Sequence, residues 1–141
     1  MLRVYTAAKV HRGKELEDAF STATFAFLHA RWLKLINLNV EDSAENAKHF
    51  WVDDITDAVT ADVVLVYAGP TGSDVLRGAL VEVGAALAAG VPVLIVGDSP
   101  SYGTWQYHPG VMKCGSLTDA YVKLERMNKE VEKRRDEGTL T

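Results

Sequence analysis

A chain of 141 residues fits one domain and is long enough to bury a core. Its formal net charge of -4 gives no electrostatic reason to expect a nucleic-acid polymer or a membrane surface as partner, and 24% charged against 48% hydrophobic residues is the balance of an ordinary soluble globular protein. The single cysteine, Cys114, excludes an internal disulfide framework and a cysteine-rich metal site.

Met1-Leu-Arg-Val-Tyr5 reads as a strand rather than a charged region followed by an apolar one, so no targeting signal is expected and a cytoplasmic location is. Leu2 to Thr6 forms that strand. A helix over about Gly13 to His29 is predicted from Leu16, Ala19, Phe20, Ala23 and Phe27, which share one apolar face. Leu33, Leu35, Ile36, Leu38 and Val40 suggest a second strand within Trp32 to Val40, with a slip of phase. Ser43 suits the N-cap of a helix running to about Thr60. Ala61-Asp-Val-Val-Leu-Val-Tyr67 is a continuous apolar strand of the kind buried on both faces.

The loop Gly69-Pro-Thr-Gly-Ser-Asp74 leads to a helix over Gly78 to Ala89, with Gly90 at its C′ position. Val91 to Val96 is the next buried strand. This helix and strand form the one run near membrane-spanning length, and Glu82, Gly84, Gly90 and Pro92 break it up. A polar loop, Gly97 to Gly110, precedes a short strand near Val111-Met112. Ser116 then caps a last helix with a charged tail over 125–141. Strands alternating with helices, with β-branched runs too apolar for a wet face, argue for one α/β domain over 1–141 with a parallel sheet between helices. Ligands of such sheets bind at the C-terminal strand ends, here the loops after Tyr5, Tyr67 and Val96.

Glu82 stands out because burying an ionised carboxylate without partners costs several kcal/mol or more, roughly. It lies one turn into its helix, among Leu80, Val81, Val83 and Leu87, close to that edge. It is either a salt-bridged or solvent-facing residue of a partly exposed helix, or a nucleophile or general base. Asp54 has the spacing to point toward the sheet edge, whereas Asp53 and Asp57 read as solvated face. The Tyr5 hydroxyl emerges at the same edge, as a site group or as a satisfied core tyrosine. Lys9, Arg12 and Arg77 flank the cleft and are either phosphate ligands or surface charges, Arg12 the latter. Gly69 to Ser73 lacks the lysine and spacing of a P-loop. No two of His11, His29, His49 and His108 are spaced as helical i, i+4 ligands, so no metal site is expected. Trp51, Tyr102, Trp105 and Tyr107 offer surfaces on which a base could stack, although Trp51 reads better as core.

Val4-Tyr-Thr-Ala-Ala8, then Asp54-Ile and Ala61-Asp-Val-Val-Leu-Val66, then Gly78-Ala-Leu-Val-Glu-Val-Gly-Ala-Ala86 together resemble the nucleoside 2-deoxyribosyltransferase family, which includes small 5′-monophosphate N-glycosidases. The resemblance spans roughly residues 2 to 124. It implies a flavodoxin-like, Rossmann-like three-layer α/β sandwich with a five-stranded parallel sheet. It also implies cleavage of, or transfer across, the N-glycosidic bond of a 2′-deoxynucleoside or its 5′-monophosphate. Glu82 falls on the glutamate that holds the sugar as a covalent ester. Asp54 falls on the aspartate that assists the leaving base or contacts the sugar, and Tyr5 on the tyrosine that orients the glutamate. Substrate contacts are implied for Thr6, Ala7, Lys9, Gly69, Ser73, Arg77 and Gly78. The family uses no metal or organic cofactor, takes a small nucleoside or nucleotide, and completes its sites as a homodimer or larger homo-oligomer. Two departures stand out. Leu76 occupies the place of an acidic residue six positions before the glutamate, and the 69–77 loop is longer than in the hydrolases. Leu76 leaves room for an alternative, a non-catalytic nucleotide-binding module. A flavodoxin-like electron carrier fits poorly, because Thr6-Ala-Ala-Lys9 is too short and apolar to bind a flavin phosphate.

Overall fold

Leu2, Val4, Tyr5 and Ala7 put apolar side chains on both faces of the first strand, which suits a strand covered on both sides. In the computed structural model, which describes residues 1–27 and 44–139, that strand is β1 (Arg3–Ala8). With β2 (Ala26–Phe27), β3 (Val63–Tyr67), β4 (Val93–Val96) and β5 (Val111–Cys114) it makes an all-parallel sheet of order β2-β1-β3-β4-β5. The register sets Tyr5 opposite Val64 and Val66 opposite Ile95. Among the described residues four helices complete the layers: α1 (Gly13–Ala19), α2 (Ala44–Thr60), α3 (Gly78–Ala88) and α4 (Leu117–Thr139). Two 3-10 turns, Val10–Arg12 and Thr104–Tyr107, occupy connections.

Strand alternation separates two cores. Tyr5, Ala7, Val64, Val66, Val93 and Ile95 pack with Ala58 of α2 and with Val83 and Ala86 of α3. Val4, Val63, Leu65, Tyr67 and Leu94 face the other way, onto Leu16 of α1 and Ala120 and Leu124 of α4. The result is the expected flavodoxin-like three-layer sandwich. The chain leaves β1 toward β2 on one side, whereas β3, β4 and β5 build outward on the other. The crevice between the C-terminal ends of β1 and β3 is therefore the topological switch point.

Several boundaries differ from the sequence reading. The helix expected to reach His29 stops at Ala19, and the chain turns at Phe20 to enter β2. Phe20, Phe25 and Phe27 instead form an aromatic cluster, with centroid separations of 4.9 to 5.9 Å, that also meets Tyr121 of α4. Phe27 has a helical spacing but is used in a strand. The strand expected over Trp32 to Val40, the Ser43 cap and His29 lie outside the described residues. Ser116 does cap α4, its Oγ accepting the Asp119 amide at 3.1 Å, and the charged tail continues that helix.

The helix α4 also pins the start of the chain. The Asn128 side chain accepts the Leu2 amide at 2.8 Å and donates to Thr24 Oγ1 at 3.0 Å. Glu125 takes the Thr24 amide at 2.8 Å and the Thr24 hydroxyl at 2.5 Å. Among the described residues, no helix is long and apolar enough to cross a membrane.

Candidate active site

The two-residue period of β1 turns Tyr5 toward α3, and the helical period turns Glu82 back toward the sheet together with Val83 and Ala86. The Tyr5 hydroxyl donates to Glu82 Oε1 at 2.7 Å, in a buried pair joining residues 77 apart in sequence. Glu82 is 7% exposed and Tyr5 is wholly buried. Burial disfavours the charged carboxylate and pushes the Glu82 pKa from 4.5 up to about 7. The Tyr5 hydrogen bond opposes that rise, and the negative charge of Asp54 adds to it. The Tyr5 phenol is in turn held well above its ordinary value by burial and then by the charges of Glu82, Asp54 and Asp57.

Helix α2 supplies the neighbours. Asp54, Asp57 and Ala58 fall on one face, and that face turns inward, because Ala58 is fully buried while Asp53 is exposed. Asp54 is half-buried. Asp57, expected on the solvated face, is only 5% exposed, because it shares the Ala58 side of the helix. One turn before Asp54, Trp51 lies against the start of α3, so a Cβ on Gly78 would sit 3.2 Å from Trp51 Cη2. Trp51 is 39% exposed and caps the helix pair rather than filling the core, contrary to the sequence reading.

Beside this pair lies a cleft of about 560 Å³, lined by Ala8, Lys9, Val10 and His11 after β1 and by Val75, Leu76, Arg77, Gly78 and Ala79 entering α3. Glu82 is four residues from Gly78 and three from Ala79, and thus shares their helix face. Tyr5 is three residues before Ala8. The lining carries Lys9, His11 and Arg77 and no carboxylate. A larger cleft of about 790 Å³ includes Glu15, Tyr67, Gly69, Lys113 and Ser116 in its lining but none of Tyr5, Asp54 and Glu82. Neither lining includes those three side chains, and the smaller cleft is the candidate site because its walls are the end of β1 beyond Tyr5 and the first turn of the helix that carries Glu82.

The structure thus brings Tyr5, Glu82 and Asp54 together, with Lys9, Arg77 and Gly78 beside them. The other expected contacts sit elsewhere. Thr6 faces the opposite side of the sheet from Tyr5, buried, and its hydroxyl has no hydrogen-bond partner among the described residues. Ala7 is packed in the core, Gly69 lines the larger cleft, and Ser73 is exposed, its Oγ 2.7 Å from Thr71 Oγ1. Leu76 is 3% exposed and belongs to the same core as Tyr5, so its position offers no carboxylate. Asp74, the nearest acid in sequence, gives both oxygens to Arg12, at 2.7 Å from Nε and 2.9 Å from Nη2. That hydrogen bonding holds the Asp74 carboxyl below the usual range. Arg12, read as a surface charge, is therefore half of a bidentate ion pair. Tyr102, read as a stacking surface, is buried with its hydroxyl on the Val96 carbonyl at 2.8 Å. Trp105 packs edge-on against it at 5.8 Å. Tyr107 is exposed, under Lys113 Nζ at 4.8 Å.

No group of three or more potential metal ligands occurs among the described residues. No protein-family model matches the sequence, and no curated protein matches it at a significant level. Several solved structures are similar to it, among them these two. The CMP N-glycosidase BcmB of Clostridium botulinum superposes with a TM-score of 0.54 at 14% identity, covering 87% of this chain and 98% of its own. A 2-deoxyribosyltransferase from Bacillus psychrosaccharolyticus gives a TM-score of 0.63 at 17% identity, covering 84% of this chain and 90% of its own. At these identities the likeness is one of fold, and that fold is common to this chain, a CMP N-glycosidase and a 2-deoxyribosyltransferase.

Proposed function

We propose that the protein cleaves, or transfers a sugar across, the N-glycosidic bond of a 2′-deoxynucleoside or its 5′-monophosphate, with Glu82 as the nucleophile. The observation that carries this reading is the buried Tyr5–Glu82 pair at the sheet's switch point, next to a cationic cleft. A carboxylate with a pKa of about 7 is substantially ionised at neutral pH, and the Tyr5 hydrogen bond fixes one of its oxygens. Glu82 forms a C–O bond to the anomeric carbon as the C–N bond breaks and its electron pair leaves with the base. The departing base takes up a proton, a role we give to the Asp54 carboxyl in the state of the pair in which Asp54 holds the proton and Glu82 is ionised. Water or an acceptor base then attacks the same carbon, gives its proton to the Asp54 carboxylate and frees Glu82, so the two displacements retain configuration. No metal or organic cofactor enters the scheme.

Lys9 and Arg77, with the amides at the start of α3, suit a 5′-phosphate. The test is chromatography of reactions with the common deoxynucleosides and deoxynucleoside 5′-monophosphates, with and without an acceptor base. Free base is expected, faster from the monophosphates. A Lys9→Ala/Arg77→Ala double variant is expected to raise the monophosphate KM about 10-fold or more while leaving the nucleoside KM unchanged. Equal KM changes for both substrates would remove the phosphate assignment. The buried Leu76 and the captured Asp74 favour one other reading, a nucleotide-binding module without turnover. Calorimetric binding of monophosphates with no base released from any substrate would select it.

We also place the protein in the cytoplasm, where nucleotides are made and degraded, and assign it a homodimer or larger homo-oligomer. Val10 and Val75 on the cleft, and Val52 and Val81 on α2 and α3, are exposed apolar side chains that a second copy would cover. Sedimentation at micromolar concentration is expected to give at least a dimer, and a monomer there would count against shared sites.

A further inference from the structure

The two walls of the smaller cleft come from segments far apart in sequence, and each segment ends at one member of the same ion pair. Lys9 to His11 run into Arg12, and Asp74 runs into Val75 to Ala79. The Arg12 guanidinium forks onto both Asp74 oxygens, at 2.7 and 2.9 Å, and Asp74 is the more deeply buried partner. Two further groups back the fork. Arg12 Nη1 reaches Glu15 Oε2 at 3.4 Å, and the Tyr67 hydroxyl donates to Glu15 Oε1. The loop leaves no slack around this chain of contacts. Gly69 has φ of +86°, and a Cβ there would lie 2.7 Å from Arg12 Nη2. Gly72 has φ of +72°, and a Cβ there would lie 1.9 Å from the Asp98 carbonyl oxygen. The Asp74 amide donates to the Ala68 carbonyl at 3.0 Å. Ser101 Oγ donates to the Asp74 carbonyl at 2.9 Å and accepts the Leu76 amide at 3.2 Å.

We infer that Arg12 and Asp74, braced by Glu15 and Tyr67, form a positioning clamp that sets the separation of the cleft walls and the entry of α3, the helix that carries Glu82. Neither residue touches the reacting atoms in this scheme. Arg12 is instead spent on Asp74, which leaves Lys9 and Arg77 as the cations for substrate. A planar fork sets two segments in both distance and angle, whereas a lysine ammonium would set only distance. The functional part of the inference rests on the glycosidic reading above, and the mechanical part does not.

Two measurements on the full chain test it. Peptide-level hydrogen exchange on Arg12→Ala and Asp74→Asn is expected to speed up over residues 69–79 about 10-fold or more, with β3 and β4 unchanged. Steady-state kinetics on deoxynucleoside 5′-monophosphates is expected to show KM raised about 10-fold with kcat within about 3-fold, as for loss of uniform binding. Arg12→Lys should recover less than half of either effect. Unchanged exchange in residues 69–79, exchange raised evenly across the sheet, or full recovery by Arg12→Lys would overturn the clamp. If the wild-type protein releases no base from any substrate, the glycosidic reading fails, and the exchange pattern still decides the clamp.

Discussion

Glu82→Ala is expected to slow base release or exchange by about 10³-fold or more, the scale of losing a covalent nucleophile. Glu82→Gln should be as inactive, although a glutamine oxygen can still accept the Tyr5 hydrogen bond, so the loss belongs to the charge rather than to the packing. Neither change should harm the fold. Removing a buried carboxylate also removes its desolvation, and Glu82→Gln is expected to melt at or above the wild-type temperature at pH 8. Asp54→Asn should cost less, about 10²-fold, and most for substrates with poor leaving groups, because proton delivery contributes that much in general acid catalysis. The measurement is kcat/KM for each variant beside its unfolding curve. Wild-type turnover by Glu82→Gln would end the nucleophile assignment outright.

The second large effect is on pH. Glu82 titrates near 4.5 in an unfolded chain and at about 7 in the folded one, so the folded state binds the proton more tightly. Its stabilising contribution is complete below about pH 4.5 and is lost as pH rises through about 7. The full difference is roughly 3 kcal/mol. Urea unfolding of wild type at pH 5 and pH 8 should therefore differ, relative to Glu82→Gln, by up to about that amount, with wild type the weaker at pH 8. Activity runs the opposite way: an ionised nucleophile makes the rate climb with pH, half-maximal near 7. The Tyr5 hydrogen bond favours the carboxylate, so Tyr5→Phe should move that midpoint upward. A midpoint unmoved in Tyr5→Phe, or a stability difference that Glu82→Gln does not abolish, would detach Glu82 from both effects.

The site was legible where one segment carries the signal. An acidic residue in an apolar helical run, just past a buried strand, locates Glu82 without any partner being known, and strand alternation aims Tyr5 at the same edge. Pairings across the chain were not legible. Nothing near Arg12 announces Asp74, which lies 62 residues away, so an inward-turned guanidinium reads like a surface one. Asp57 reads as solvated because four aspartates in one short segment hide which helical face turns inward until α2 is docked. The α1 boundary failed for a different reason. Phe20 and Phe27 satisfy a 3.6-residue period, yet the chain turns between them, and Phe20 and Phe25 pack on Tyr121. Tertiary contacts won over local periodicity there.

The bonds from Asn128 and Glu125 to Leu2 and Thr24 bear on how the chain is made. A ribosome releases β1 before the group that accepts the Leu2 amide, which lies 126 residues later. The first-made strand of the sheet is finished by a helix made after all the strands. Nascent chains stalled before Asn128 clears the exit tunnel should thus be cut by protease at the β1 end, and released chains should not. Equal resistance in both would mean that the sheet sets without its C-terminal helix.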